Sequence, residues 1–193
     1  MRSLLLMVTT AFALSGCVGD DPTAATGGHL GSARFSGEPN VDYTFFGSAA
    51  PASIISSPPA GEYGIRFHTS LPGRVMGLRF YRPAGDSENV TVLLLTEAGT
   101  KTDSVVLVGQ GASPGWQWLS LAQPRRISSG VNYRVSARVS QAVGMTYGYF
   151  IGGAVVHDVL TADLGFYRLS GSATMVSTTD AYFVDVIFRP DPE

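Results

Sequence analysis

Trp116 and Trp118 stand two apart at the start of the stretch Gly115–Ser140 (GWQWLSLAQPRRISSGVNYRVSARVS), and Arg134 and Arg138 stand four apart near its end. On an extended strand, residues two or four apart share a face. Flat rings beside guanidinium donors form a platform for sugars, because an aromatic face packs on apolar C–H groups while N–H groups bond hydroxyls. These four residues are therefore the candidate ligand-binding set. Two structural readings compete with it. The rings can be covered by a loop or by the N-terminal segment, or the arginines can stack on them in a cation–π ladder worth about 0.5–1 kcal/mol when exposed.

The remaining chemistry-bearing residues are sparser. Asp86, Glu88 and Asn89 fall in one loop and offer oxygen ligands suited to calcium, although a solvated polar loop has the same composition. His157, Asp158 and Asp163 match no zinc spacing. Three histidines are present, His29, His68 and His157, without a Gly-x-Ser-x-Gly elbow. No two acids are paired as glycoside hydrolysis requires. The reading is a non-enzyme with no cofactor. Arg79 and Asp185 occupy outward positions of otherwise apolar strands near the two ends of the fold, which predicts an exposed cross-strand ion pair, contributing roughly 0–1 kcal/mol.

The elements that must position these groups are strands. Leu119 and Leu121 alternate with Ser120, and Tyr133, Val135, Ala137 and Val139 alternate with Arg134, Ser136 and Arg138. A period of two marks strands buried on one face. Pro124 and Ser128-Ser129-Gly130 punctuate the interval, so the stretch reads as an antiparallel strand pair with both tryptophans and both arginines on its wet face. Upstream, Tyr63, Ile65 and Phe67 share a face, and Met76, Leu78 and Phe80 point inward while Val75, Gly77, Arg79 and Tyr81 point outward. Downstream, TYGYFI and AYFVDVIF close the chain. Roughly nine short strands with turn signals every 8 to 12 residues predict an all-β antiparallel sandwich, jelly-roll-like. The 23 glycines among 193 residues and the lack of good helical runs agree.

Ahead of the fold lies an address. Arg2 is followed by an apolar run from Leu4 to Leu14, about 11 residues against the roughly 20 that span a bilayer, so this is a secretory leader rather than a membrane span. Its end, Leu14-Ser15-Gly16-Cys17, resembles the bacterial lipobox. The resemblance implies cleavage before Cys17, acylation of that residue and a membrane partner through it. Cys17 is the single cysteine, so no internal disulfide competes for it. Val18 rather than Asp follows, which favours the outer membrane in hosts that have one. The expected organisation is a leader at 1–16, a Gly-rich tether at 17–32, an N-terminal extension at 33–61 covering a sheet edge, and the sandwich at 62–190. Net charge is −2, and −3 once Arg2 leaves with the leader, so nothing attracts nucleic acid.

Four pieces in order carry a further resemblance. They are Gly73–Tyr81 (GRVMGLRFY), Gly115-Trp116-Gln117 leading to the Tyr133 strand, Tyr147–Phe150 (YGYF), and Tyr182–Phe188 (YFVDVIF). The set resembles the bacterial "domain of unknown function 4082" family over about Glu62 to Arg189. The resemblance implies a secreted β-sandwich often found beside carbohydrate-active or immunoglobulin-like modules, with no established activity. It also implies a Trp near Leu95 and a Gln at the position of Trp118, and this chain departs from both.

The functional expectation is a lipid-anchored cell-envelope protein whose sandwich binds glycan or envelope polysaccharide. The alternative is a structural or adhesion subunit that docks an envelope protein on an apolar patch of Phe183 and Ile187 flanking Asp185. Cys17→Ser is expected to move the protein from the membrane to the soluble fraction. A variant that still sediments with membranes, or a mature N-terminus other than Cys17, refutes the anchor.

Overall fold

The computed structural model describes residues 41–192; the leader, Cys17, the tether and His29 lie outside them. Thirteen strands follow one another with no helix among the described residues: β1 (Ser53–Ser56), β2 (Gly61–Thr69), β3 (Gly73–Arg82), β4 (Val90–Thr96), β5 (Lys101–Leu107), β6 (Gly115–Ile127), β7 (Tyr133–Val139), β8 (Ala142–Thr146), β9 (Val155–His157), β10 (Leu160–Leu169), β11 (Val176–Thr178), β12 (Ala181–Tyr182) and β13 (Val184–Pro190). All pairings are antiparallel. One layer has the order β11-β10-β2-β7-β4-β5 with β9 added to β10. The other is built from β13-β3-β6 and β1-β8-β12. The fold is an antiparallel β-sandwich, with more strands than the roughly nine expected because β1, β9, β11 and β12 are too short to show a period.

Phe183 joins the two three-stranded sheets. Its N–H donates to the Gly144 carbonyl at 3.0 Å, and its carbonyl accepts from the Tyr81 N–H at 3.0 Å. The chain thus passes from pairing with β8 to pairing with β3 without a turn. Between the layers lies one core, in which Ile65 and Phe67 from β2, Val135 and Ala137 from β7, Leu78 and Phe80 from β3, and Val184, Val186 and Phe188 from β13 are buried together. Those from β2, β3 and β7 are residues whose alternation marked one-sided strands.

Three expectations are corrected. First, β6 and β7 do not pair: β6 pairs with β3, whereas β7 sits between β2 and β4. The Ser128–Asn132 link crosses from one layer to the other, which local alternation cannot distinguish from a hairpin. Second, Met76 and Val75 exchange sides. The registers of β3 with both β6 and β13 shift between Val75 and Gly77, so Met76 is an extra residue, Val75 is buried and Met76 faces outward. Third, Leu119 is inward by register, opposite Leu78, yet is half exposed because β6 is an edge strand.

The outer face of the seven-stranded sheet is not uniformly wet. Leu93, Leu95 and Phe166 form a second buried cluster there, covered by Leu164 and Met175. This explains the apolar run of β4, which is buried on both faces. Within this covered area one cross-strand row reads Phe166, Gly64, Ser136, Leu93. A Cβ on Gly64 would stand 2.0 Å from the Val135 carbonyl oxygen, so only glycine fits. The Ser136 hydroxyl is buried there without a hydrogen-bond partner among the described residues. Such a group costs its desolvation with no return. Ser136→Ala should therefore raise stability by about 1 kcal/mol, read as a higher urea midpoint at unchanged slope; a lower midpoint refutes the orphaned hydroxyl.

Candidate functional site

Asp185 organises the outer face of β13-β3-β6. It lies directly opposite Arg79 in the β13–β3 register. Arg79 donates to its Oδ2 from Nε at 3.1 Å and from Nη2 at 2.7 Å. Oδ1 accepts the Val186 N–H at 2.7 Å and the Phe45 N–H at 3.1 Å, and Oδ2 also accepts the Phe46 N–H at 2.9 Å. The expected pair exists, but it is buried rather than exposed, because the segment before β1 lies over it. Tyr43 bonds Phe188 through both backbone groups, and Phe45 and Phe46 join the core. The N-terminal extension therefore covers a sheet face as well as adding β1 to β8. Burial, and then the nearby Asp185 carboxylate, push the Tyr149 phenol above its ordinary value.

This segment divides the two tryptophans. The Trp116 ring stacks on Phe46 and Phe183, its Nε1 donates to the Ala49 carbonyl at 2.8 Å, and the Arg79 guanidinium carbon sits 3.9 Å from its ring centroid. Trp116 is a half-buried structural ring, and the cation over it is Arg79 of β3 rather than Arg134 or Arg138 of the expected ladder. Trp118 is opposite Arg79 on the neighbouring strand and remains 60% exposed. Its ring forms a wall shared by two shallow clefts. One, about 460 Å³, is polar at its rim and includes Asp42, Thr44, Ser120 and Arg189. The other, about 490 Å³, lies toward β5 and includes Val106, Val108, Gln117 and Leu119. Asp42 and Arg189 are joined by two hydrogen bonds of 2.8 and 3.0 Å, which raise the Arg189 guanidinium further and orient both groups.

Arg134 and Arg138 do not join this site. They lie on β7, on the outer face of the other sheet, separated from Trp118 by the core. Arg134 packs over Phe166 and contacts the Met175 sulfur. Burial, and then neighbouring Arg66, lower its guanidinium from its ordinary value. Arg138 donates from Nε to Glu62 at 2.9 Å. The oxygen cluster does not converge either. Asp86 is buried against Arg82 at 2.9 Å, Glu88 holds the Ser140 and Gln141 amides, and Asn89 accepts the Gly109 N–H. His157 pairs with exposed Asp158, while Asp163 bonds Arg66. The apolar docking patch is corrected as well: Phe183 is buried against Phe46, and Ile187 is only partly exposed. Sequence reasoning missed Asp42, Arg189, Val106 and Val108, which tertiary contact alone brings to Trp118.

The family described as Domain of unknown function (DUF4082) matches residues 48–184. The chain belongs to this family. No curated protein matches it. The matched region begins inside the N-terminal extension, consistent with β1 and its neighbours being part of the sandwich. Leu95, where the family resemblance implies a Trp, is buried beneath Met175, so that departure alters packing rather than an exposed ring.

Removing the Asp185 carboxylate should release the covering segment and leave the Arg79 charge buried without a partner. Asp185→Ala is expected to cost about 3–5 kcal/mol in denaturant unfolding, with a red shift of tryptophan emission as Trp116 is uncovered. Asp42→Ala, which breaks an exposed pair, should cost roughly 0–1 kcal/mol. Equal losses in the two variants refute the central role of Asp185.

Proposed function

We propose that this chain is a lipid-anchored envelope protein whose sandwich is a non-catalytic module that binds a neutral stretch of glycan across Trp118. The observation that carries the reading is the exposed Trp118 ring standing between two clefts, beside the buried Arg79–Asp185 pair on the adjoining strands. Leaving a large aromatic in water gains nothing for the fold. A pyranose stacked on it removes apolar surface from both partners. Ser120, Thr44 and the paired Asp42 and Arg189 stand on one side of the ring, where sugar hydroxyls need donors and acceptors. The membrane anchor through Cys17 would hold the module in the cell envelope, where such polymers occur.

A second reading has its own observation. Val106, Val108 and Leu119 are exposed beside Trp118 at the edges of β5 and β6, which suits contact with an envelope protein. The experiment separates them. Purified full-length protein in detergent is presented with neutral polysaccharides, dextran and cellulose fragments among them, and with envelope polysaccharide. Trp118→Ala should fold normally and lose binding by about tenfold or more, the equivalent of about 1.4 kcal/mol, while Val108→Ser binds glycan as the parent does. Binding to none of the polymers, with envelope-protein capture lost in Val108→Ser, overturns the glycan reading in favour of the second.

A further inference from the structure

A second site lies on the opposite face of the sandwich. Arg168 on β10, Glu62 on β2, Arg138 on β7 and Thr91 on β4 form one continuous cross-strand row. The row floors an open groove of about 560 Å³, walled by Ser170 and Ser172 on one side and by Asn89 and Ser140 on the other. Glu62 is buried, with its side chain 6% exposed. One of its carboxylate oxygens accepts Arg138 Nε at 2.9 Å, and the other accepts Arg168 Nη2 at 2.6 Å. The buried carboxylate thus aligns two guanidiniums on the groove floor.

The balance of donors and acceptors identifies the ligand class. Both Nη groups of Arg138 have no partner among the described residues, and its side chain is 60% exposed. Among the described residues, Arg168 Nε and Nη1, the Thr91 and Ser170 hydroxyls and the Asn89 amide nitrogen have no partner either. Every carboxylate oxygen lining the groove, in contrast, already holds at least one donor. Each Glu62 oxygen holds an arginine, and Glu88 accepts the Ser140 and Gln141 amides and the Ser140 hydroxyl. A groove with free donors and occupied carboxylates fits a ligand rich in acceptors. Guanidinium forks select oxyanions above other acceptors, since they offer two parallel N–H groups at carboxylate or sulfate spacing. The groove is open and much larger than one oxyanion, so it suits a chain that passes through it.

We propose that this groove binds an acidic polysaccharide, with Arg138 and Arg168 clamping its carboxylate or sulfate groups. That the chain is a saccharide rests on the reading of this protein as a glycan binder; that it is acidic rests on the groove alone. The two carboxylates of Glu62 and Glu88 balance the two arginines in charge. Recognition therefore works through directed donors more than through net field, and the salt dependence should be shallow.

The test uses full-length protein in detergent with polygalacturonate, dextran sulfate and neutral dextran. At least one acidic polymer should bind, and the preferred one tells carboxylate from sulfate ester. Arg138→Gln should weaken that binding by about tenfold or more, with Arg138→Lys intermediate. Ser170→Asp, a change at an exposed loop position that adds a competing anion, should weaken it too and keeps the test open if the arginine variants misfold. Trp118→Ala should leave it unchanged while abolishing neutral-glycan binding, so the two readings fail separately. Acidic-polymer binding that is absent, that persists in both Arg138→Gln and Ser170→Asp, or that disappears in Trp118→Ala overturns the acidic groove.

Discussion

The Asp185 carboxylate is the constraint on which the rest of the smaller layer depends. A buried carboxylate is costly unless its lone pairs are filled and an opposite charge is held close. Here Arg79 supplies the charge and two donors, and three backbone amides supply the rest. Two of those amides belong to Phe45 and Phe46, so satisfying the carboxylate also fixes the course of the N-terminal segment. That segment in turn stacks Phe46 on Phe183 and bonds Trp116 through Ala49. The same Arg79 lies over Trp116. Charge, backbone and rings are thus satisfied together.

Arg82, three residues along β3, performs a comparable task between the layers. It is fully buried, pairs with Asp86, and donates to Gln117 on β6 and to the Glu88 and Leu107 carbonyls at the ends of β4 and β5. One guanidinium therefore closes the loop after β3 and ties the edges of both sheets at that end. At the other end of those edges, Arg125 bonds Asp103 at 2.7 Å. Between the two ties, β5 and β6 leave the cleft beside Trp118. The position of the exposed ring is a consequence of where the buried and surface arginines fasten the sandwich.

The two outer faces then diverge in chemistry. The smaller layer offers one ring and a mostly apolar cleft, whereas the larger layer offers a polar row of arginines around Glu62. A covering loop makes the difference sharper: Met175 seals Leu93, Leu95 and Phe166 but leaves the Glu62 row open. If both proposals hold, the stacking ring and the donor-rich groove stand on opposite faces and would not compete for the same stretch of polymer.

Much of this was legible in the chain itself. Alternation in β2 and β7 identified one-sided strands, and turn residues at regular spacing identified a sandwich, because both signals are local consequences of pleating and of backbone sterics. The pairing of Arg79 with Asp185 was legible because two lone charges stand on otherwise apolar strands near the two ends of the fold, but its burial was not. What the sequence could not show was decided by contacts between distant segments. An extra residue at Met76 reverses a face only once both neighbouring strands are in register. The link after β6 reads as a hairpin whether it turns back or crosses the core, so Trp118 and Arg138 appear together in sequence and lie apart in space. Trp116 and Trp118 are equivalent by spacing, and only the segment around Phe46, some 70 residues away, buries one and leaves the other in water.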